Sequence, residues 1–364
     1  MKKLCLLLLM ILLSYPAHAG DREVLQQVYE LALENYIDEV NLSDIAGPAL
    51  RALGKLDKNV RIAFGSKAAA VYIKGKLLRV YPRPNEEQDA LKWAKFTERV
   101  IEGAKEVSPL LRHKDFELVE LMLSEAMPQF DKNARYYPML DLGQEKEKLQ
   151  PYVSSIRDGN ILYIRLGTIN DLTIDNFYET VKEHMDVKGI ILDLRGNSGG
   201  YLKQALDITD SFLDQGMMIY TIGKDKGKRK IYRSDDAQYY SNTPMIVLVD
   251  SGTASAAEVI ALVLKEKGRA KILGAQTYGK GTVQNIYKLV NDAHLSLTTE
   301  HFYSARHTDI DENGIRPNIC TVPLKIDFGS QKVSKQAQEH MCKRAARPEE
   351  DDLLAALKQL QSAN

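Results

Sequence analysis

Two serines stand where a nucleophile that attacks a carbonyl carbon would be placed. Ser198 is the middle residue of Gly196–Gly200, which satisfies the GxSxG pattern, follows the apolar run Ile190–Leu194 and precedes a helical pattern. A serine on such a strand-to-helix turn is exposed and reactive. Asp250 and His301 follow in the chain order of an α/β-hydrolase triad. The alternative is a tight turn whose backbone amides bind an anion without any nucleophile.

The second candidate nucleophile is Ser255, which begins another helical pattern. The stretch Ser255–Glu258 also matches a capping box, in which the serine is only the cap of a helix. At that position the hydroxyl stands at the positive end of the helix dipole, and the Ala256 amide can point at a developing oxyanion. Lys280 is the candidate base, because a buried lysine loses its charge readily and can then accept a serine proton. These local patterns leave the nucleophile open between Ser198 and Ser255.

Two further motifs come close to binding sites but fail their own requirements. The stretch Gly274–Lys280 spells GxxxxGK, yet Gly281 stands where a serine or threonine would hold magnesium, and a strand pattern follows instead of a helix. The stretch Asp309–Gly314 opens like an EF-hand loop, but its twelfth position is Cys320 and not glutamate. We therefore predict no nucleotide site, a polar turn at 309–314, and neither a cofactor nor a metal.

The second half of the chain alternates strand and helix patterns. Short buried-strand candidates occur at 161–166, 189–194, 245–249 and 270–274, with helical patterns at 175–184, 201–213 and 256–267. Strands that alternate with helices form βαβ units, so we predict a largely parallel sheet covered on its faces. Later runs at 282–289 and 295–303 alternate like antiparallel strands, and a last helix is predicted over 349–360.

The first half is predicted to be mostly helical, with one hairpin. Helical spacing covers 21–56, with a turn expected near Gly47-Pro48, and returns over 86–130. Between these stretches, Lys74-Gly75-Lys76 separates two β-rich runs, which indicates a hairpin over 68–81. The predicted organisation is a signal peptide at 1–19, the helical region at 20–140, a linker at 141–157, the α/β core at 158–325 and a C-terminal segment at 326–364.

The first residues have the features of a secretory signal peptide. Lys2 and Lys3 precede an apolar run over Leu4–Leu13, and Ala17-His18-Ala19 supplies the small residues that signal peptidase requires. We therefore predict cleavage after Ala19 and export, with the periplasm as the expected compartment. The run is shorter than the roughly 20 residues that span a bilayer. No later stretch is long enough, so no stable membrane insertion is expected after cleavage.

The charge balance bears on nucleic-acid binding, and the cysteine content bears on disulfide formation. The chain has 49 basic and 49 acidic residues, so a nucleic-acid footprint is not expected. After removal of the signal peptide, Cys320 and Cys342 remain, and two cysteines in an oxidising compartment usually pair. We predict a disulfide between them.

Five motifs occur in order between about residues 160 and 323. They are Lys188–Gly200, which contains DLRxNxGG, Thr253–Glu258, Tyr278–Gln284, Leu297–Thr299 and Gly314–Pro317. In these motifs, and in the 25-residue step from Ser255 to Lys280, the chain resembles the C-terminal processing (tail-specific) peptidases. These are serine enzymes with a Ser–Lys dyad on a crotonase-like (ClpP/crotonase) α/β core. The resemblance therefore implies an exported serine endopeptidase that cleaves proteins or peptides.

Carried over residue by residue, the resemblance assigns three catalytic side chains. Ser255 becomes the nucleophile, Lys280 the general base, and Gln284 the residue that orients the lysine. The implied chemistry is acyl transfer in two steps through an acyl-enzyme.

The resemblance also reassigns the GxSxG turn. An amide of Gly199 or Gly200, together with that of Ala256, would form the oxyanion hole, and Ser198 would have no chemical role. Two alternatives stay open: a non-catalytic peptide- or ligand-binding protein on the same core, and an α/β-hydrolase that uses Ser198.

The chain departs from the family's pattern before the core. Members usually carry a PDZ domain there that captures substrate C-termini, and residues 141–157 are too few for one. The stretch Asp131–Ala134 also replaces the family's usual Asp-Pro-x-Ser. The resemblance is thus to a member without a PDZ domain, and how it selects substrates is left open, as are its oligomeric state and any activating partner.

Overall fold

The computed structural model describes residues 20–113, 115–138, 152–157, 160–235, 239–240, 242–321 and 349–361. The predicted signal peptide, residues 141–151 of the expected linker, and Cys342 lie outside them. Contacts divide the chain into two compact units, Met1–Leu140 with Gln284–Thr298 and Asp141–Val283 with Thr299–Asn364. No helix in the described ranges is long and apolar enough to cross a membrane.

The first unit is mostly helical, as predicted. Its described helices are α1 (Asp21–Asn35), α2 (Ser43–Leu56), α3 (Ala90–Val107), α4 (Pro109–Arg112) and α5 (Asp115–Phe130). Its short strands are β1 (Val60–Phe64), β2 (Ala68–Ile73), β3 (Lys76–Pro82) and β4 (Arg135–Tyr137). The helices bury side chains at helical spacing around Trp93, which is fully buried with Leu25, Tyr29 and Leu50. The Tyr29 hydroxyl shares a hydrogen bond of 3.0 Å with Thr97, so these two buried hydroxyls satisfy each other.

The turn expected near Gly47-Pro48 is wrong. The chain turns between α1 and α2, and both residues lie inside α2, where their side-chain positions are buried. Pro48 falls in the second turn of α2, where it removes one backbone donor from the helix. Tertiary packing of this apolar helix outweighs that loss, so a dipeptide that usually interrupts helices does not do so here.

The predicted hairpin is confirmed as part of a three-stranded antiparallel sheet, ordered β1-β2-β3. Ile73 lies opposite Lys76, and the two residues between them, Lys74 and Gly75, both have positive φ. This is the type I′ geometry that matches the twist of the flanking strands. The third strand, β1, was not predicted.

The second unit contains the predicted α/β core. Its described helices are α6 (Asp171–Glu183), α7 (Leu202–Asp210), α8 (Ala256–Glu266) and α9 (Glu349–Gln361). One sheet contains β5 (Tyr152–Arg157), β6 (Ile161–Leu166), β7 (Gly189–Asp193), β10 (Met245–Val249), β11 (Lys271–Gly274) and β14 (Ile319–Cys320). The other strands are β8 (Gly216–Ile222), β9 (Arg229–Ser234), β12 (Thr282–Lys288) and β13 (His294–Ser304), of which β12 and β13 begin or end in the first unit.

The main sheet is parallel from β6 to β14 and is covered on both faces. Its strand order is β14-β11-β10-β7-β6-β5, and every residue of β7 and β10 is buried. Helix α8 contributes to the apolar cluster on one face, and α9 contributes Ala356 and Leu360 to the cluster on the other. Burial on both faces explains why these strands are continuous apolar runs and do not alternate.

The linker predicted over residues 141–157 includes residues that form a strand. Residues Tyr152–Arg157 form β5, which pairs antiparallel with β6 from Tyr152 opposite Leu166 to Arg157 opposite Ile161. As the edge of the sheet, β5 is only half covered, and its serines and arginine gave it the composition of a linker.

A buried ion pair joins the end of β7 to α9. Arg195 contacts Asp193 through two hydrogen bonds of 2.9 and 2.5 Å, and Tyr163 donates to the same carboxylate at 2.8 Å. Asp352 of α9 lies 3.6 Å from the Arg195 guanidinium. All three charged side chains are almost inaccessible to solvent, and Arg195 is the one cation among them, so its loss leaves two buried carboxylates without compensation.

Replacing Arg195 should therefore destabilise the protein strongly. Arg195→Met leaves the Asp193 carboxylate buried without its cation, which is expected to cost about 3–5 kcal/mol of unfolding free energy. The matched control is Lys203→Met, since Lys203 is 79% exposed and pairs with Asp207; it should cost less than about 0.5 kcal/mol. Urea unfolding followed by circular dichroism measures both, and similar losses in the two variants would contradict the prediction.

Candidate active site

Three loops meet at the carboxyl edge of the parallel sheet. Strand β10 lies between β7 and β11 and is parallel to both, so the loops after these strands leave the sheet at the same edge. Ligand sites in parallel α/β sheets form outside the carboxyl ends of the strands. The predicted residues Gly199, Gly200, Ser255, Ala256 and Lys280 all belong to these loops or to the first turn of α8.

Asn197 organises the loop after β7. Its side-chain amide donates to the Leu166 carbonyl at 2.8 Å and accepts from the Gly199 amide at 2.8 Å. Its own carbonyl accepts from the Ala254 amide at 2.9 Å, which ties this loop to the one after β10. Asn197 is completely buried, so these bonds fix the loop rather than exchange with water.

Gly200 has a conformation that other residues avoid. Its φ is +145°, and a Cβ on it would lie 1.9 Å from the Ile169 carbonyl oxygen. A side chain cannot be accommodated without moving the backbone. The glycine thereby allows the backbone of this turn to lie against Ile169, in the loop after β6.

Ser255 is held in a strained backbone conformation. Its φ is 55° and its ψ is −122°, outside the regions that residues with a side chain normally occupy. Such strain costs about 1–3 kcal/mol and concentrates at functional sites. Ser198 is exposed and its φ is not positive, so of the two candidate serines Ser255 is the one with a strained backbone.

The carboxylate of Glu258 joins the serine loop to the lysine loop. Its Oε2 accepts from the backbone amides of Ser255 and Lys280, each at 2.9 Å. The two amide nitrogens therefore lie no further apart than twice that distance. Its Oε1 accepts from the Gly279 amide at 2.8 Å and the Thr277 hydroxyl at 2.5 Å.

Glu258 is fully buried, and its environment acts on its charge in two directions. Burial raises the pKa of Glu258 above its ordinary value, and the hydrogen bonds from Lys280, Thr277, Gly279 and Ser255 offset only part of that rise. Three of its four donors are backbone amides, which cannot accept a proton, so the arrangement suits an ionised carboxylate. A capping box would explain only one of the four hydrogen bonds to the Glu258 carboxylate, the one from the Ser255 amide. The Glu258 amide donates to the Ser255 carbonyl at 2.8 Å, so it does not require the serine hydroxyl.

Lys280 lies in a loop that is packed against residues 311–314. A Cβ on Gly279 would lie 2.7 Å from the Gly314 nitrogen, and the Gly281 amide donates to Asp311 at 3.0 Å. The loop continues into β12 and not into a helix, as predicted from the failed GxxxxGK pattern. The EF-hand-like stretch is a turn, as predicted, and it supports the lysine loop.

Two backbone amides near Ser255 have no acceptor in the part of the chain that the structure describes. They belong to Gly200 and Ala256. The Gly199 amide, in contrast, is used by Asn197. A Cβ on Gly199 would lie 3.0 Å from the Ala256 nitrogen and 3.0 Å from the Ser255 Cβ, so the two turns are in contact. Of the two glycines offered by the sequence, Gly200 retains an amide that could bind an oxyanion.

The triad partners proposed for Ser198 are used elsewhere. Asp250 accepts from the backbone amides of Gly196 and Gly252 at 2.9 Å and of Thr253 at 3.1 Å. His301 lies in β13 opposite Ile222. Among the described residues no hydrogen bond joins His301 to Asp250, so the structure does not assemble this triad.

Gln284 begins the part of β12 that belongs to the first unit. Its side-chain nitrogen donates to the Thr298 hydroxyl at 3.2 Å, and this hydroxyl donates to Asp131 at 2.5 Å. Because Asp131 takes the hydroxyl proton, Thr298 presents a lone pair to Gln284, which fixes which end of the amide faces it. The stretch Asp131–Ala134, which differs from the family's motif, thus keeps its aspartate in a defined role.

Cys320, at the end of β14, is disulfide-bonded. The predicted partner, Cys342, lies outside the described residues, and the pairing stays a prediction.

Sequence reasoning missed three residues that organise the site: Asn197, Thr277 and the wider role of Glu258. The first two were within or next to the quoted motifs, but their hydrogen-bond partners are far away in the chain. Thr277 also accepts from the Ile315 amide at 2.7 Å, which connects it to the Gly314–Pro317 motif.

Known proteins match the same part of the chain. Residues 160–321 match the model of peptidase family S41. The chloroplastic carboxyl-terminal-processing peptidase 2 of Arabidopsis thaliana is 34% identical over 192 residues, which are 50% of this chain and 37% of the relative. The carboxy-terminal-processing protease of Bartonella bacilliformis is 36% identical over 168 residues, 44% of this chain and 39% of the relative. The chain thus spans less than half the length of these curated relatives.

A solved lipoprotein structure from Streptococcus agalactiae has a similar fold. Its TM-score is 0.56 at 15% identity, and the match covers 84% of this chain and 93% of that chain. This likeness concerns the fold alone. The sequence matches are more specific: residues 160–321, a little under half of the chain, are similar to peptidase family S41, and carboxyl-terminal processing peptidases are among the matching relatives.

Proposed function

We propose that this protein is an exported serine endopeptidase in which Ser255 is the nucleophile and Lys280 the general base. The observation that carries the proposal is the shared carboxylate oxygen of Glu258, which brings the backbones of these two residues together. The strained φ of Ser255 is further support. Export is supported by the signal-peptide pattern and by the disulfide at Cys320, since disulfides persist in oxidising compartments.

In the proposed reaction, the neutral amine of Lys280 takes the proton of the Ser255 hydroxyl. The serine oxygen attacks the substrate carbonyl carbon, and the carbonyl oxygen becomes an oxyanion that accepts from the Gly200 and Ala256 amides. The C–N bond then breaks, and the lysine ammonium gives its proton to the leaving amine. Water repeats the sequence on the acyl-enzyme: Lys280 takes its proton, and the serine oxygen leaves and is reprotonated.

Gln284 is proposed to orient Lys280. Residues 280, 282 and 284 of an extended chain project to the same side, so a side chain at 284 suits this role. The Thr298–Asp131 hydrogen bonds support it, because they fix the orientation of the Gln284 amide.

Replacing Ser255 should abolish cleavage, whereas replacing Ser198 should not. Ser255→Ala removes the attacking oxygen, and turnover of an unfolded protein substrate should fall by about a thousandfold or more. Ser198→Ala is the matched control, since it alters an exposed side chain in the neighbouring loop. Digestion assays on variants with wild-type circular dichroism measure both. An active Ser255→Ala together with an inactive Ser198→Ala would favour the α/β-hydrolase alternative. Cleavage by both variants would mean that neither serine is the nucleophile, and no activity in the wild type would favour a binding protein.

Replacing Lys280 by arginine should also remove activity. Arginine keeps the positive charge but cannot supply a neutral base at accessible pH, so a loss of about a thousandfold is expected. Wild-type turnover should rise with pH, because a larger fraction of the lysine is then unprotonated. Initial rates measured across a pH series test this. A wild-type rate that is independent of pH, or an active arginine variant, would exclude Lys280 as the base.

Glu258→Gln should impair the nucleophile as well as the fold. An amide replaces one of the two acceptor oxygens by a donor, and the facing backbone amides lose their partner at a cost of about 1–3 kcal/mol. Labelling of Ser255 by a fluorophosphonate should slow by about tenfold or more as the serine loop loosens. The control is Glu179→Gln, an exposed change on α6. Unchanged labelling in folded Glu258→Gln would mean that the carboxylate does not position Ser255.

A further inference from the structure

The hairpin of the first unit ends its sheet with an open strand. In the order β1-β2-β3, β3 pairs with β2 alone among the described strands. Five consecutive residues, Lys76–Val80, are exposed. An edge strand has unpaired backbone donors and acceptors and can pair with another extended chain.

The exposed side chains of β3 are apolar to an unusual degree for a free edge. Leu77 is 55% exposed, Leu78 41% and Val80 51%. The opposite face of the sheet is packed, since Val71 and Tyr81 are buried and Arg79 pairs with Glu106 of α3 at 3.5 Å. The apolar side chains on the free edge therefore do not belong to the core of the first unit.

All charged side chains of the three-stranded sheet that contains β3 are positive. Residues 58–83 contain seven basic residues and no acidic residue, in a chain whose charges balance. Arg61 stacks on Tyr72, and Arg83 pairs with Glu87. Lys58, Lys67, Lys74 and Lys76 are exposed lysines around the strands. Such a surface attracts negative charge.

We propose that β3 binds an acidic, extended polypeptide segment by strand addition. Backbone pairing along Lys76–Pro82 supplies the main contact, the exposed leucines and valine contact alternate apolar side chains, and the lysines face carboxylates. A second copy of this chain fits less well, because its own hairpin would bring a further seven basic residues to the same edge. The binding goes beyond the proposed peptidase activity, since it requires neither Ser255 nor Lys280.

An anionic membrane surface would also meet the charge requirement, but it would leave the backbone of β3 unpaired. Strand addition makes a different prediction: amides within residues 76–81 become protected from hydrogen exchange when the partner binds. The test therefore has to measure both charge dependence and the place of protection.

The experiment uses the full chain with Ser255→Ala, so that binding is separated from cleavage. Fluorescence polarisation follows a labelled short peptide in which glutamate alternates with valine, and a second peptide with lysine in place of glutamate. The acidic peptide should bind, more weakly as salt is added, and the basic peptide should not. Lys74→Glu/Lys76→Glu should weaken binding by about tenfold or more at low salt.

The control variant, Lys188→Glu/Lys228→Glu, makes the same change in net charge at two exposed lysines of the second unit. It should leave the affinity within about twofold. Protection of amides within residues 76–81 in hydrogen-exchange mass spectrometry is the further result expected. The proposal is overturned if both peptides bind equally, if both double variants bind alike, or if protection appears outside β3. Binding to phosphatidylglycerol vesicles without binding of the acidic peptide would overturn it in favour of a membrane surface. Protection of β3 that rises with protein concentration alone would overturn it in favour of self-association.

Discussion

One buried carboxylate joins the two loops that carry Ser255 and Lys280. Without water to solvate it, Glu258 must be stabilised by protein donors, and the donors it finds come from the serine loop and the lysine loop. Other hydrogen bonds also hold these loops, among them the one from the Tyr278 amide to the Thr253 carbonyl at 3.0 Å, but Glu258 is the side chain that contacts both loops. The same hydrogen bonds thus offset the cost of burying the charge and the strain at Ser255, and the backbones of Ser255 and Lys280 stay close because both amides donate to one oxygen of Glu258.

The parallel core could be predicted because its signals are local. Strands β7 and β10 are short apolar runs that lie between helical patterns, and burial on both faces requires that composition. The choice of Ser255 over Ser198 did not follow from the residues around either serine. It came from five motifs in order, and the positive φ of Ser255 now supports it with an observation that no sequence pattern contains.

What the sequence left undecided depends on contacts between distant residues. Gly199 and Gly200 were both candidates to donate a backbone amide to an oxyanion. The Gly199 amide already donates to the Asn197 side chain, so the Gly200 amide is the one that stays available. Strand β1 was missed because a five-residue strand with an exposed arginine alternates too briefly to be recognised. Strand β5 was missed because an edge strand needs little apolar surface, and Gly47-Pro48 was misjudged because packing overrides local preference.

The contact between Asp352 and Arg195 has a consequence for the time course of folding. A ribosome delivers β6, β7, β10 and β11 well before α9, and until that helix arrives one face of the sheet, with Ile191, Ile246 and Leu273, remains in water. The contact closes a long stretch of chain, so it forms late and slowly. Nascent molecules thus pass through a stage in which an apolar sheet is uncovered and prone to aggregate, and α9 ends that stage by covering it.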